Sequence, residues 1–267
     1  MVKITMNKAM LQFQLDQKIR DLASLALTIK RTPFVWKNKK LLKRNAKLRE
    51  IRRTDRCYIL GTGPSLKNVD LSVLDADVMV VNNFYRFAQA NVVNPLVYFM
   101  VDPGFFITDE KQDVINAREM YPDTSFVLCG KYLSKENIAD NVYWWCGWGP
   151  CTIPKKVDMT KVMPSTFNVI GTAIATAIYM GYKEIVLLGC DFSSFASQKQ
   201  EHCYDGSESD ERFMDMYFDL YCYSIVAKQH MELYQLGKHQ GCRILNATEG
   251  SLIDAYPRVH LEDLIKK

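Results

Sequence analysis

A glycine-rich turn near residue 60 has the composition of an anion-binding site. It runs from Gly61 to Leu66 with the sequence GTGPSL, and Pro64 stands where proline commonly opens a helix. Backbone N–H groups at such strand-to-helix turns converge on one point, and the helix dipole adds positive potential there. The turn is therefore predicted to hold a phosphate or a similar anion. A tight turn without a ligand is the alternative.

The residues around this turn exclude two common nucleotide sites. A dinucleotide fingerprint needs a third glycine where Leu66 stands and an acidic residue at the end of the second strand, where Asn82 and Asn83 are found. The Lys and the following Ser or Thr of a P-loop are also missing. An amide offers both a donor and an acceptor, which suits a neutral base or sugar. Alternatively, either Asn merely caps the next segment.

A second set of reactive residues follows a later apolar segment. Asp191 stands directly after an apolar run and near Gly189, and His202 lies in the polar segment that comes next. Neutral histidine is the usual general base near pH 7, because it can take a proton from an attacking hydroxyl. His202 is the predicted catalytic base, with an ordinary surface histidine as the alternative.

The elements that must position these residues form a regular series. Short apolar runs end in glycine or polar turns, and helical segments lie between several of them. This order predicts an α/β fold with a single Rossmann-like, mostly parallel sheet, helices on both faces and a site at the strands' carboxyl ends. The predicted strands are 57–60, 78–81, 96–101, 125–129, 184–189 and 243–246, and the clearest helices are 109–120, 171–180 and 212–236.

Composition divides the chain into two predicted parts. Residues 1–54 form a basic, amphipathic helical arm with a break at Pro33, and residues 55–267 form the catalytic domain. The aromatic segment at 141–163 is predicted to be irregular, either an insert or lid over a ligand or a plain packed loop. Between Lys30 and Arg56 there are twelve Lys or Arg residues against Glu50 and Asp55. Any attraction to phosphate-rich surfaces is therefore expected in the arm.

Two roles are open for the arm. It packs on the domain or on a partner subunit, for which a second copy of the chain is a candidate, or it docks on anionic lipid. Trp36 beside clustered Lys and Arg has the composition of such an anchor. No apolar run reaches the ~18 to 20 residues that span a bilayer. We expect a cytoplasmic protein, peripheral on the inner face of a membrane if the arm binds lipid, with no nucleic-acid partner.

Neither the cysteines nor the aspartates predict a metal site. The eight cysteines are scattered without CxxC pairs, and no His completes a zinc site around Cys146 and Cys151. The segment 75–77 has the pattern DxD of metal-dependent glycosyltransferases, but it precedes the second strand and is interpreted as a turn at the wrong end of the sheet. No metal and no cofactor are expected.

Two stretches of the chain resemble a known enzyme group. Residues 57–70 followed by the sequence NNFY at 82–85, and the stretch 181–192 with the sequences GYKEI and GCDF, resemble the bacterial family 42 sialyltransferases. The same motifs are similar to a related superfamily that includes Maf flagellin glycosyltransferases and archaeal hydroxymethylpterin diphosphokinases, and the sequence NATEG at 246–250 resembles that broader group more. The resemblance spans most of 57–265 and does not cover the arm.

The resemblance implies a GT-A-variant fold, a CMP-sugar donor bound across the strand ends, a histidine base and no metal. It places the phosphate and ribose along the glycine turn, the cytidine beside Asp191, and a second anion-binding helix start at Asn168. Asp102 stands where that family tends to have Asn. The residues that this pattern assigns to the donor site are Gly61, Thr62, Gly63, Ser65, Asn82, Asn83, Asp102, Asn168, Gly171, Thr172, Asp191 and Tyr204.

The resemblance predicts an inverting glycosyltransferase that moves a sialic, nonulosonic or Kdo-type sugar from a CMP donor to a surface-glycan or lipid-linked acceptor. Thr62 replaces the family's Asn, and Ser193 stands where a Tyr assists the departing phosphate, a role that Tyr204 would take. The alternative is a Mg²⁺-dependent diphosphokinase that acts on a hydroxymethylpterin-like alcohol with ATP, with Asp102 and Asp191 as metal ligands.

Overall fold

A seven-stranded parallel sheet forms the centre of the computed structural model, which describes residues 8–107, 111–132, 139–196, 201–204 and 215–265. Every neighbouring pair of strands is parallel, and the spatial order is β5-β4-β3-β2-β1-β8-β9. The strands are β1 (Arg56–Leu60), β2 (Asp77–Val81), β3 (Val97–Met100), β4 (Ser125–Cys129), β5 (Val142–Trp145), β8 (Glu184–Leu188) and β9 (Arg243–Asn246). The predicted α/β fold with a parallel sheet is confirmed.

The strand order creates one crevice at the carboxyl edge of the sheet. After β1 the chain builds β2 to β5 on one side, and it later places β8 on the other side of β1. The register joins Leu60 to Leu188, so the turns that follow β1 and β8 begin side by side. Parallel sheets bind their ligands where the strand order reverses in this way.

Both faces of the sheet are buried, which explains why its strands are continuous apolar runs. In β1, Cys57 and Ile59 belong to one core cluster, whereas Tyr58 and Leu60 belong to the other. The helices that cover the sheet are α3 (Gly104–Ile107), α4 (Lys111–Met120), α5 (Val169–Met180), α6 (Met216–His239) and α7 (Leu261–Ile265). The predicted starts of α4 and α6, Asp109 and Arg212, lie outside the described residues.

The segment predicted as an insert at 141–163 is partly integral to the sheet. Its first residues form β5, and two further short strands, β6 (Gly147–Gly149) and β7 (Met163–Pro164), pair with each other. The sequence VYWW of β5 is fully buried, so its tryptophans serve the core rather than a lid. Interpreting the whole segment as irregular was wrong for this strand.

The predicted break at Pro33 is also wrong. Helix α1 (Lys8–Lys37) continues through Pro33, and a short helix α2 (Lys39–Lys43) begins only after Asn38. An internal proline removes one backbone hydrogen bond and crowds the preceding turn, but it does not always end a helix. The Asn38 N–H and side-chain amide both donate to the Phe34 carbonyl oxygen, over 3.1 and 3.0 Å, which marks the end of α1.

The second half of the predicted arm contributes to the core of the domain. Leu42 and Leu48 are buried in the two core clusters. Asn45 is also fully buried, where its amide donates to the carbonyl oxygens of Trp144 and Met159 and accepts from the Trp144 N–H. These contacts fix β5 at the edge of the sheet. The predicted boundary at 54/55 stays a prediction.

None of the helices in the described part of the chain is both long enough and apolar enough to cross a bilayer.

Candidate active site

A cavity of about 200 Å³ lies at the carboxyl ends of β1 and β8. Its walls come from the glycine turn, the end of β2, the start of α5, the turn after β8, the segment 201–202 and one side chain of α6. Seven of the thirteen predicted site residues line it, namely Gly61, Thr62, Gly63, Asn82, Asn168, Asp191 and His202. The fold therefore brings together motifs that are far apart in the sequence. Their contact with a ligand stays a prediction.

The two turns at the base of this cavity touch each other through glycine. The Gly61 N–H donates to the Leu188 carbonyl oxygen over 2.8 Å, and the Gly63 N–H donates to that of Gly189 over 2.9 Å. A Cβ at Gly61 would lie 2.2 Å from the Gly189 oxygen, and one at Gly63 would lie 1.9 Å from an Asp191 carboxylate oxygen. Only glycine permits this approach.

Asp191 occupies the position where the sequence predicts an external anion. Its carboxylate accepts hydrogen bonds from the Ser65 N–H over 3.1 Å and the Ser65 hydroxyl over 2.7 Å. The following segment is a 3₁₀ helix of five residues, Pro64–Asn68, rather than a longer α-helix. The expectation that the turn offers free N–H groups to a phosphate is wrong for Gly61, Gly63 and Ser65, because each already donates within the protein.

Asn82 combines a strained backbone with an unsatisfied side chain. It adopts a left-handed conformation with φ 50°, held because its N–H donates to the Phe99 carbonyl oxygen over 2.9 Å and its own carbonyl accepts from the Tyr98 hydroxyl over 2.6 Å. Its buried amide oxygen Oδ1 finds no hydrogen-bond partner among the described residues. Strain and an unpaired buried acceptor each cost about 1–3 kcal/mol. Their coincidence in the wall of a cavity points to a ligand that donates a hydrogen bond.

Asn83 and Tyr204 lie behind the cavity rather than in its wall. Burial raises the pKa of Tyr204 above its ordinary value. A hydrogen bond with the Asn83 side chain lowers it, but by less, so the net effect is an increase. The Asn83 amide oxygen, like that of Asn82, has no partner in the described part of the chain. Direct contact of these two residues with a donor stays a prediction.

His202 is held against the glycine turn. The neighbouring Cys203 N–H donates to the Thr62 carbonyl oxygen over 2.9 Å, and the imidazole stacks on the Tyr204 ring with centroids 5.1 Å apart. Burial lowers the pKa of His202 below its ordinary value, and a hydrogen bond with the Thr62 backbone opposes this only in part. The imidazole is therefore mostly neutral at pH 7 and able to accept a proton.

The start of α5 reaches the cavity with its first residues only. Asn168 caps the helix, since its side-chain oxygen accepts from the Ile170 N–H over 2.6 Å, and both residues line the cavity. Thr172 instead shares a hydrogen bond of 2.7 Å with Thr166, and a Cβ at Gly171 would face Leu233 of α6. Of the residues predicted for the second anion site, Asn168 reaches the cavity, whereas Gly171 and Thr172 are packed inside.

Asp102 is the predicted site residue that contributes least to this cavity. Its side chain is exposed and accepts from the Gly104 N–H over 2.8 Å, where it stabilises the start of α3. It is not among the residues that line the cavity. Among the described residues there is no group of three or more His, Cys, Asp or Glu side chains positioned to hold a metal ion.

Two aromatic side chains that were not among the predicted site residues also line the cavity. Phe192 and Tyr223 contact each other with ring centroids 4.5 Å apart, and the Tyr223 hydroxyl shares a hydrogen bond with Ser194. Phe192 has φ 58°, which is uncommon for a bulky residue. The position of Phe192 next to Asp191 could have identified it as a site residue from the sequence. Tyr223 lies within α6, where no sequence pattern distinguishes it. Together they form an apolar wall on which a planar base can stack.

A larger cavity of about 650 Å³ lies on the other side of the glycine turn. Ser65 lines it, together with the segment 246–250 that carries the NATEG sequence. Ser65 is therefore separated from the cavity that contains His202 by the Asp191 carboxylate that it binds.

Comparison with known proteins gives a family and a set of similar structures. The family model described as 6-hydroxymethylpterin diphosphokinase MptE-like matches residues 34–195. A search of curated protein sequences finds no significant match. Both groups named by the sequence resemblance, the diphosphokinases and the sialyltransferases, appear among the family and structure matches.

Three similar structures are of the sialyltransferase CstII, and two of them are described as from Campylobacter jejuni. The structure with cytidine-5′-monophosphate is 21% identical with a TM-score of 0.47, over 76% of this chain and 84% of that one. The structure with CMP-3FNeuAc is 18% identical with a TM-score of 0.46, over 76% and 85%. The structure with CMP and a trisaccharide acceptor is 18% identical, with a TM-score of 0.46. No residue role is transferred from matches this distant.

Proposed function

Since the chain belongs to the 6-hydroxymethylpterin diphosphokinase MptE-like family, we propose that it is a transferase. In the crevice between β1 and β8, it would deprotonate an acceptor hydroxyl, which then attacks a donor group attached to a nucleotide. More specifically, we propose a CMP-sugar-dependent glycosyltransferase. The donor would carry a sialic, nonulosonic or Kdo-type sugar, and the acceptor would be a surface glycan or a lipid-linked glycan.

One observation carries the proposal. A neutral histidine, His202, and the unpaired amide oxygen of Asn82 line the same cavity. The first supplies a base for a hydroxyl group, and the second requires a ligand group that donates a hydrogen bond. The apolar wall of Phe192 and Tyr223 adds a surface for a base.

The chemistry of transfer follows from these groups. The acceptor oxygen forms a bond to the anomeric carbon of the sugar as the bond between that carbon and the phosphate oxygen of CMP breaks. The acceptor proton passes to the imidazole of His202, and CMP leaves with the bonding electrons. A single displacement of this kind inverts the anomeric configuration.

The departing phosphate needs stabilisation that the N–H groups of Gly61, Gly63 and Ser65 do not provide, because each already donates within the protein. The first turn of α5 and the hydroxyl of Ser193 line the cavity and are available for this role. We therefore propose transfer without a divalent cation. The choice of CMP is supported by the motif resemblance at 57–70 and 181–192.

A diphosphokinase is the second candidate, and the family description favours it. In that reaction the alcohol oxygen attacks the β-phosphorus of ATP and AMP leaves, with Mg²⁺ bound by carboxylates and phosphates. Asp191 lines the cavity, but its carboxylate binds Ser65, and Asp102 lies outside the lining. The positions of these carboxylates thus suit the Mg²⁺ site of a diphosphokinase less well than the position of His202 suits the base of a glycosyltransferase.

Thermal unfolding of the full chain with CMP, CDP, ATP plus Mg²⁺, or NAD distinguishes these functions. A ligand at one hundred times its Kd adds about 2.7 kcal/mol, which corresponds to roughly 5 to 10 °C in Tm for a chain of this size. We expect CMP to raise Tm in the presence of EDTA. Stabilisation by ATP with Mg²⁺ alone would support the diphosphokinase and contradict the glycosyltransferase.

A further inference from the structure

Helix α1 packs on the domain with its polar side. The Asp21 carboxylate accepts from the Cys151 N–H over 3.1 Å and from the Thr152 hydroxyl over 2.7 Å, and the Thr28 hydroxyl donates to the Trp148 carbonyl oxygen. The Arg31 guanidinium lies over the Trp148 ring, 5.2 Å from its centroid. Asp21, Thr28 and Arg31 are spaced by seven and three positions, so they lie on one side of the helix.

The side of α1 that adjoins this contact is apolar and exposed. Leu22, Ile29 and Trp36 are spaced by seven residues and are 66%, 65% and 77% exposed. We call this surface the outward face of α1; it comprises Leu11, Leu15, Leu22, Leu25, Ile29 and Trp36. A helix on a globular domain normally buries its apolar side. In α1 the arrangement is inverted, which leaves a contiguous apolar surface of a kind that marks an interaction site.

Positive charge is concentrated at and beyond the C-terminal end of the outward face of α1. Between residues 22 and 49 there are nine Lys or Arg residues and no acidic residue. Lys18 lies on the same side as Leu22, and Lys30, Lys37, Lys39 and Lys40 are all exposed. The occupant of this surface must therefore tolerate both large apolar side chains and a dense positive charge.

We infer that the outward face of α1, with the lysines that flank and follow it, docks the protein on an anionic membrane surface. The apolar side chains enter the boundary between headgroups and acyl chains, and the lysines contact the lipid phosphates. Trp36, at the junction of the apolar and basic parts, has the amphipathic ring that interfacial sites favour. The inference rests on α1 and the lysines that follow it, and it does not depend on the proposed function.

Charge argues against a second copy of the chain as the occupant. Pairing two outward faces would bury Lys18 of each chain and bring further lysines together. Like charges in such a contact oppose association, whereas anionic headgroups neutralise them. Through Thr28 and Phe34, helix α1 also packs on Trp148 of β6, next to the sheet that carries the candidate active site. Docking would hold that sheet near a lipid-linked substrate.

Flotation of the full chain with phosphatidylcholine vesicles, with and without added phosphatidylglycerol, tests the inference. We expect binding to the anionic vesicles that weakens at high salt because of screening. The double substitution Leu22→Ser and Ile29→Ser should lower the partition coefficient roughly tenfold, since it removes apolar area from the contact. Ile115→Ser, at an apolar position on α4 that is 48% exposed, should leave it unchanged.

A second variant keeps the test decisive if the first unfolds. Lys39→Glu with Lys40→Glu changes only exposed charges and should also lower binding roughly tenfold. The inference is overturned if the wild type does not bind anionic vesicles, or if it binds neutral vesicles equally. It is also overturned if light scattering shows a dimer that Leu22→Ser dissolves while lipid binding is absent.

Discussion

The crevice between β1 and β8 and the outward face of α1 depart from ordinary packing in opposite ways. The crevice keeps a polar atom, Asn82 Oδ1, buried without a partner among the described residues, whereas α1 exposes large apolar side chains such as Ile29. Folded proteins normally pair the first kind of group and bury the second. A bound molecule would therefore give the buried amide oxygen in the crevice a hydrogen-bond partner, and it would cover the apolar side chains on α1.

The two regions differ in how firmly the protein holds these unusual groups in place. In the crevice, the Phe99 carbonyl and the Tyr98 hydroxyl hold Asn82 in its left-handed conformation, so the site is formed before a ligand arrives. On α1, no contact of the described chain covers the outward face, and its role depends on the occupant. Preorganisation suits catalysis, where donors and bases must not rearrange during reaction. An adaptable apolar and basic surface suits lipid.

The largest effect is expected from His202→Gln. Removal of a general base lowers the rate by roughly 10²- to 10⁴-fold. The measurement is CMP release from a CMP-activated acidic sugar with an acceptor present, alongside the CMP-induced shift in Tm, which should persist. His239→Gln, at the exposed end of α6, is the matched control and should retain full activity. A His202→Gln rate within tenfold of the wild type would remove His202 as the base.

His230 tests whether an unpaired buried polar atom always signals a ligand. Its Nε2 has no partner in the described part of the chain, Nδ1 pairs with the Tyr256 hydroxyl, and burial lowers the pKa of His230 to about 4. The unfolded chain takes up this proton near pH 6.5, whereas the folded chain resists it until about pH 4. Stability should therefore fall by roughly 3 kcal/mol over that interval as the pH decreases.

Urea unfolding at several pH values isolates this contribution by comparing the wild type with His230→Gln. The difference in slope between the two belongs to His230, because the carboxylates titrate alike in both. His239→Gln should keep the wild-type slope. Identical pH dependence in the wild type and His230→Gln would show that His230 is not held neutral.

Gly61→Ala tests whether the crevice depends on the contact between its two turns. A Cβ at this position would lie 2.2 Å from a backbone oxygen, so the turns must separate. We expect a loss of about 2–3 kcal/mol in the free energy of unfolding, together with weaker CMP binding. Gly171→Ala is the matched control, because its nearest contact would be 3.7 Å and the site is helical. Equal stability of the two variants would contradict the close approach.

The smallest effect, and the most specific, is expected from Asn82→Gly. Glycine adopts φ 50° without strain, and the unpaired amide is removed, so stability should rise by roughly 1 kcal/mol. Affinity for CMP or for its sugar conjugate should fall about tenfold, since a hydrogen bond from the ligand is lost. Denaturant unfolding and calorimetric titration measure the two changes. A variant that is less stable and binds unchanged would assign Asn82 a purely structural role.

The sheet was largely predictable because its strands are apolar runs that end in recognisable turns. The strand at 125–129 was predicted to the residue, and the one at 184–189 to within one residue of β8. The strand β5 was not predicted, because the sequence VYWW between polar segments is typical of an irregular aromatic segment as well as of a strand. Local periodicity does not show whether tryptophans belong to a core or to a lid.

The contacts that define the site were less accessible from sequence. Ser65 and Asp191 are 126 positions apart, and their hydrogen bonds depend on the strand order, which places β8 beside β1. The left-handed backbone of Asn82 likewise depends on Tyr98 and Phe99 of β3. For α1, spacing identified an apolar and a polar side, but not that the polar side faces the domain.

A crystal structure of the chain with CMP tests the proposed nucleotide site most directly. We expect CMP in the crevice between β1 and β8, with a donor group of the ligand roughly 2.7 to 3.2 Å from Asn82 Oδ1, as hydrogen-bond geometry requires. The base should lie against Phe192 and Tyr223, and the His202 imidazole should face the side of the phosphate where an acceptor enters. CMP bound elsewhere, or a crevice that takes only ATP with Mg²⁺ held by Asp191, would contradict the proposed CMP-sugar site.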